Sequence, residues 1–184
     1  MSIPTPTLTG QRCVLRPFRR EDAEALARHA NNRAIWRNLL DLFPHPYTQA
    51  DAEAWIALCL SGEDGVTHFA IEVDGACVGA LGLTPHAESN QDYVELGYWL
   101  GEAHWGCGIM TEAVTLAADF SFGTLRANRI EARAYGWASG SQRVLEKCGF
   151  TLEGRLRRRM IKDGEHTDQL VYGLLPEDRA TTPG

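Results

Sequence analysis

A single mixed α/β domain is the fold class this sequence predicts, and three observations carry the prediction. Apolar residues alternate with polar ones in some segments and recur at helical spacing in others, and the two kinds interleave along the chain. The dipeptides Asp74-Gly75 and Asp163-Gly164 join pairs of strand-like runs, as tight hairpins do. Residues 93–100 read as a strand that passes through a glycine turn straight into an amphipathic segment at 109–122.

The elements follow in order. Residues 8–17 read as a first strand centred on Val14 and Leu15. Residues 20–30 read as a helix with Ala23, Leu26, Ala27 and Ala30 on one side. Residues 31–47 are irregular and carry Trp36, Phe43 and Tyr47 among Arg and His. Thr48-x-x-Asp51 resembles a capping box, and the helix it opens sets Ala52, Trp55, Ile56 and Cys59 on one face. Two strands flank Asp74-Gly75, and a third runs from 92 to 100. The helix at 109–122 buries Ala113, Leu116, Ala117 and Phe120. A strand at 129–135 and a short helix at 141–148, with Val144, Leu145 and Cys148 inward, come next. Strands at 150–161 and 166–175 close the order β-α-α-β-β-β-α-β-α-β-β. The domain spans 8–175, with loose ends at 1–7 and 176–184.

Composition narrows the function. The 184 residues are 44% hydrophobic and 23% charged, an ordinary globular balance. A net charge of −6 argues against nucleic acid as a partner, because phosphate binding needs clustered Lys and Arg. It suits an amine or other cationic substrate. No signal peptide precedes Thr7 and no apolar run reaches membrane-spanning length, so no membrane role is expected. The cysteines at 13, 59, 77, 107 and 148 are scattered, odd in number and without a C-x-x-C pair, which reads as reduced thiols in the cytoplasm. The six histidines lack metal-ligand spacing, so no metal is expected.

The turn Trp105-Gly106-Cys107-Gly108-Ile109-Met110-Thr111 carries the most chemistry. At a strand-to-helix junction, free backbone amides and the positive end of the helix dipole converge and form a cradle for an anion such as a pyrophosphate. A dinucleotide fingerprint needs a third glycine where Thr111 stands, and a phosphate-binding P-loop needs a G-K-[ST] ending that is missing. Taken alone, the turn reads by default as a plain strand-to-helix connection with no ligand.

Its context is more specific. Leu15-Arg16-Pro17, Glu21-Asp22, Glu95-Leu96-Gly97-Tyr98-Trp99-Leu100, Trp105-Gly106-x-Gly108-x-Met110-Thr111-Glu112-Ala113, Ser141-Gln142-Arg143-Val144-Leu145-Glu146-Lys147-x-Gly149-Phe150, Asp168 and Tyr172 follow one another in order. This ordered set resembles the GNAT superfamily of acetyl-coenzyme A-dependent N-acetyltransferases, in particular the RimJ/RimL branch that acetylates ribosomal-protein N-termini. The resemblance implies a mostly antiparallel twisted sheet with flanking helices, splayed at a cofactor cleft. It implies that Trp99, Leu100 and the turn 105–111 hold acetyl-coenzyme A, with the pyrophosphate on the turn's amides and the pantetheine in the gap between residues 92–100 and 129–135. It implies an amine acceptor, either a peptide N-terminus or a small molecule, and direct transfer without an acyl-enzyme. A homodimer is compatible with it.

Two departures matter. Where many members of the family have an asparagine that bonds pantetheine, this chain has Ala138, which leaves Ser139 or Ser141 to replace the contact. Where many have a tyrosine general acid, it has Leu145, so the acid falls to Ser141, to another tyrosine such as Tyr172, or to water.

Thioester aminolysis needs a neutral amine, a polarised carbonyl and a protonated leaving thiolate. Glu95 is the leading base: strand alternation points it opposite Val94 and Leu96, and partial burial would raise its pKa. A solvent-facing strand glutamate is the competing reading. Ser141 is the leading contact to the sulfur, and a helix N-cap is its alternative role. Trp36, Phe43 and Tyr47 lie where the family builds its acceptor pocket, and part of that cluster also reads as core. Trp99 and Trp137 are candidate cleft walls. Cys107 reads as a solvent-facing side chain, Glu112 as a structural helix-start charge, and Arg157-Arg158-Arg159 as a solvated strand segment. The competing functional classes are a weakly active acyl-coenzyme A sensor, favoured by Ala138 and Leu145, and a polyamine or aminoglycoside acetyltransferase.

Overall fold

The computed structural model describes residues 4–88 and 91–179. Eight strands form one sheet: β1 (Leu8–Thr9), β2 (Val14–Arg16), β3 (Thr67–Val73), β4 (Ala76–Glu88), β5 (Gln91–Leu100), β6 (Ile130–Tyr135), β7 (Thr151–Lys162) and β8 (Glu165–Leu174). Their spatial order is β1-β2-β3-β4-β5-β6-β8-β7. Every neighbouring pair is antiparallel except β5–β6. The helices are α1 (Ala23–Ala30), α2 (Arg33–Trp36), α3 (Gln49–Ser61), α4 (Ile109–Gly123), α5 (Ser139–Lys147) and α6 (Pro176–Arg179).

Local chemistry explains most of these boundaries. At the start of α3, the Thr48 hydroxyl accepts from the Asp51 amide while Asp51 accepts from the Thr48 amide, a reciprocal capping box. The pairs Asp74-Gly75 and Asp163-Gly164 both adopt positive φ at each residue, the conformation that matches the twist of two-residue hairpins. The segment expected to be irregular contains the short α2. Its N-cap Asn32 accepts from the Ala34 and Ile35 amides. Of the expected loose ends, residues 176–179 form the helical turn α6, whose Arg179 bonds Asp119. Residues 1–3 and 180–184 lie outside the described residues.

The expected first strand is two short strands joined by a turn. The cause is Glu112 in the first turn of α4. Its carboxylate accepts from the amides of Gln11 (2.9 Å), Arg12 (2.7 Å) and Cys13 (2.9 Å). This pins the turn against the helix, and only a glycine fits at position 10, where a Cβ would stand 2.3 Å from Glu112 Oε2. Burial opposes the Glu112 charge, but the Arg12, Gln11 and Cys13 amides outweigh it and hold the carboxyl below its ordinary value. A depressed folded pKa makes this contribution complete above the ordinary glutamate value of about 4.3. It is lost as pH falls through the lower folded value. Glu112→Gln is expected to cost about 1.5 to 3 kcal/mol at neutral pH, the range for hydrogen bonds to charged groups. It should also flatten the acid limb of the stability curve, and urea melts between pH 7 and pH 3 check both.

The sheet carries a core on each face. On one side, Leu15, Phe69, Ile71, Leu81, Leu83 and Leu96 pack with Ala113, Val114 and Ala117 of α4 and Leu145 of α5. On the other, Ala70 and Ala80 meet Leu26 of α1 and Ile56 of α3, with Phe18 and Tyr47 filling the space between. Beneath this second core, Arg16 is buried and forks onto Asp22 at 2.8 Å through both terminal nitrogens, while its Nε meets Glu72.

The feature that positions the site is a fault in the sheet. Strands β5 and β6 run side by side only at Val94↔Ile130, Glu95↔Glu131 and Leu96↔Ala132. Beyond that seam β5 follows β4 out to Gly79↔Leu100, and β6 follows β8 out to Tyr135↔Gln169. The two strands therefore diverge, and the facing backbone edges of residues 97–100 and 133–135 have no strand partner in the gap.

Candidate active site

A cavity of about 700 Å³ occupies this V. Its walls are the diverging ends of β5 and β6, the turn into α4, the first turns of α5, and the segment 35–40 around α2.

At one end lies the glycine turn. Gly106 and Gly108 have φ of 76° and 78°, a left-handed backbone that side chains resist. Gly108 caps α4 without a side-chain bond. The amides of residues 106–111 have no acceptor among the described residues, as expected of a helix start. Trp105 braces the turn by donating from Nε1 to the Leu100 carbonyl at 2.8 Å. The Cys107 thiol faces outward and is not part of the cavity wall, whereas Trp99, Leu100, Trp105, Gly106, Gly108, Ile109, Met110 and Thr111 all line it. A nest of free amides leading to unpaired strand edges fits a ligand with a phosphate-bearing end and an extended, amide-containing arm.

Across the cavity, the Tyr98 hydroxyl lies 2.9 Å from Ser141 Oγ. Ser141 sits in the first turn of α5, which begins at Ser139 with Ala138 as its N-cap. The N-cap role considered for Ser141 therefore does not apply, and its hydroxyl serves Tyr98 instead. Burial pushes the Tyr98 phenol well above its ordinary value, so it remains a proton donor at neutral pH. Sequence reasoning passed over Tyr98. The signal was its phase: it alternates with Trp99 and shares the face of Leu96 and Leu100, towards α4 and α5. Leu145 is fully buried core on α5, and Tyr172 bonds Glu146 instead of reaching the Tyr98–Ser141 pair.

Glu95 lines the same cavity from the opposite face of the sheet, the face of Trp99. Its side chain is 33% exposed, and its Oε2 is 3.3 Å from His86 Nε2 without hydrogen-bond alignment. His86 is itself stacked on Tyr93 at 4.5 Å. Glu95 is thus neither fully buried nor a free surface carboxylate.

The three aromatics expected in an acceptor pocket do not line the cavity. Tyr47 is core, and Phe43 bridges it to Trp99, with ring centroids 4.8 and 5.8 Å apart. Trp36 stacks on His45 and lies under the buried Lys162 ammonium at 4.0 Å. Their neighbours Ile35, Asn38, Leu39 and Leu40 face the cavity in their place. A helical turn at 33–36 rotates the segment in a way that composition alone did not reveal. Trp137 does line the cavity. Arg157 to Arg159 are exposed on the edge strand β7, and the Arg158 amide is tied to Asp168 at 2.7 Å.

Among the described residues, no group of three or more His, Cys, Asp or Glu could hold a metal ion, and no helix is long and apolar enough to cross a membrane. All five cysteines are free thiols.

Residues 12–151 match the family model described as Acetyltransferase (GNAT) domain. The Probable N-acetyltransferase YjcK of Bacillus subtilis (strain 168) is 38% identical over 118 residues, which are 63% of this chain and 65% of that protein. The [Ribosomal protein uS5]-alanine N-acetyltransferase of Escherichia coli (strain K12) is 33% identical over 89 residues, 48% of this chain and 45% of that one. Among solved structures, Mycobacterium smegmatis RimJ in complex with CoA-disulfide superposes with a TM-score of 0.84 at 25% identity, covering 95% of this chain and 89% of that one.

Proposed function

We propose a reaction and an acceptor on one premise: the chain belongs to the GNAT acetyltransferase family, an acetyl-coenzyme A-dependent N-acetyltransferase of RimJ/RimL type. The acceptor is the α-amine of a protein or peptide, and the acetyl group passes to it directly, in the cytoplasm. The observation that carries this reading is the pairing of functions across one cavity. A carboxylate, Glu95, and a hydroxyl pair, Tyr98–Ser141, face it from opposite walls, and the amide nest lies at one end.

When bound, acetyl-coenzyme A supplies an activated acyl carbon and a thiolate leaving group. The amides at 106–111 hold its pyrophosphate, with no bulk at Gly106 and Gly108 to keep the phosphates away. The open edges of β5 and β6 hold the pantetheine arm by backbone pairing. Glu95 takes the proton that the amine sheds as its nitrogen bonds the acetyl carbon. Ser141 gives a proton to the sulfur as the carbon–sulfur bond breaks, the Tyr98 phenol passes its proton to the serine oxygen in the same step, and water restores the phenol proton before the next turnover. Tyr98 thus supplies a hydroxyl that Leu145 cannot. A peptide acceptor is supported by the Escherichia coli relative, whose name gives it an alanine of ribosomal protein uS5 as substrate.

Thiol release from acetyl-coenzyme A is to be followed with peptides, polyamines and aminoglycosides. Turnover is expected with peptides bearing a free α-amine and not with the same peptides blocked at the N-terminus. Turnover confined to polyamines or aminoglycosides would overturn the acceptor assignment. Coenzyme binding without turnover on any amine would indicate a sensor.

A further inference from the structure

We infer that Gln169 and Trp137 recognise the first peptide bond of the acceptor. This rests on the function proposed above and adds the group, beyond the amine, that the site selects.

Gln169 lies on β8 opposite Tyr135 of β6. Glu95 is level with Glu131, and Arg133 and Tyr135 follow at the two-residue period of a strand. Gln169 therefore shares the sheet face of Glu95, displaced along the open arm of the V. It is only 9% exposed, yet it lines the cavity, and its carboxamide makes no hydrogen bond to another described residue. Trp137, on the turn from β6 to α5, also lines the cavity, and its buried Nε1–H has no acceptor among the described residues. The indole is held in place. The Arg37 guanidinium lies 4.6 Å above its ring, and the Tyr135 ring stands edge-on at 5.9 Å. The other polar groups of this wall are already engaged. Tyr135 donates to the Leu39 carbonyl at 3.2 Å, Asn38 Nδ2 to the Ala34 carbonyl at 2.8 Å, and Arg133 to Glu131.

The Arg37 Nε–H above the indole is also without a partner among the described residues, but Arg37 does not line the cavity. Of the groups named on this wall, an indole N–H, which only donates, and a carboxamide, which donates and accepts, are left for a ligand. A peptide unit is their complement, with one carbonyl and one N–H. A polyamine is not, since its ammonium groups only donate and would leave the indole N–H unpaired in a closed site. A second ammonium would also approach Arg37 and Arg133. Sites with buried groups of this kind discriminate strongly against analogues that lack the matching group.

The test compares L-alaninamide with isopropylamine, in which a methyl group replaces the carboxamide, at saturating acetyl-coenzyme A. The ratio of their kcat/KM values is measured in the native protein and in Gln169→Leu and Trp137→Phe, so that intrinsic amine reactivity cancels. Each variant is expected to lower the preference for alaninamide about tenfold or more, the loss of a matched hydrogen bond, with the KM for acetyl-coenzyme A unchanged. An unaltered preference in both variants overturns the inference. If no amine is acetylated, the proposed function fails separately. Alaninamide is then titrated into coenzyme A-saturated protein while the indole N–H resonance that Trp137→Phe removes is observed by NMR. A shift of that resonance supports the inference, and no shift overturns it.

Discussion

Glu95→Gln is expected to lower kcat by about 10²- to 10⁴-fold, the usual worth of a positioned general base. The KM for acetyl-coenzyme A should change little, because the amide nest and strand edges proposed above to hold the coenzyme lie elsewhere along the cavity. Glutamine keeps the size and one acceptor oxygen but cannot take a proton. The comparison is made with a peptide acceptor at saturating coenzyme. A variant that keeps the native rate would remove Glu95 from the mechanism and leave the seam residue as a strand carboxylate beside His86.

The largest effect on stability is expected at Arg16→Met. The Arg16 side chain is 3% exposed and that of Asp22 is 6% exposed, so removing the guanidinium strands a carboxylate in the core. Breaking a buried pair from one side costs about 3 to 5 kcal/mol. That is a large share of the roughly 5 to 15 kcal/mol that holds a domain together. Urea denaturation should show a lower midpoint with the slope unchanged. Adding Asp22→Asn should recover part of the loss, since the stranded charge is then gone. A single-variant loss below about 1 kcal/mol, the worth of an exposed pair, would mean that water reaches Asp22 in the folded protein.

The sequence was informative wherever the physics is local. The capping box at Thr48, the two Asp-Gly turns, the alternation of β5 and the glycine turn into α4 are each determined within a few residues, and each is found where expected. The order of elements, and from it the mixed sheet, was legible for the same reason. What escaped was long-range. Glu112 was recognised as structural, but its partners lie about a hundred residues earlier, and they split the first strand. Tyr98 and Ser141 meet across 43 residues, and no spacing rule links them. Trp36 was expected in the acceptor pocket, but its ring lies under Lys162 of a distant hairpin instead of lining the cavity, a contact that no local pattern announces.

That hairpin has a further consequence. Arg33 to Asp163, Arg37 to Glu165 and Lys162 to Asp41 tie the segment around α2 to the tip between β7 and β8. In the function proposed above, the coenzyme's seat comes from one continuous stretch of chain, roughly β5 through α5, while residues 35–40 add to the acceptor wall a piece from near the start of the chain that is fastened by charge to the β7–β8 tip. That piece can therefore be altered without touching the β5–α5 stretch. Exchanging residues 37–46 together with the 162–165 tip offers a route to a new acceptor that leaves the acetyl donor's seat untouched.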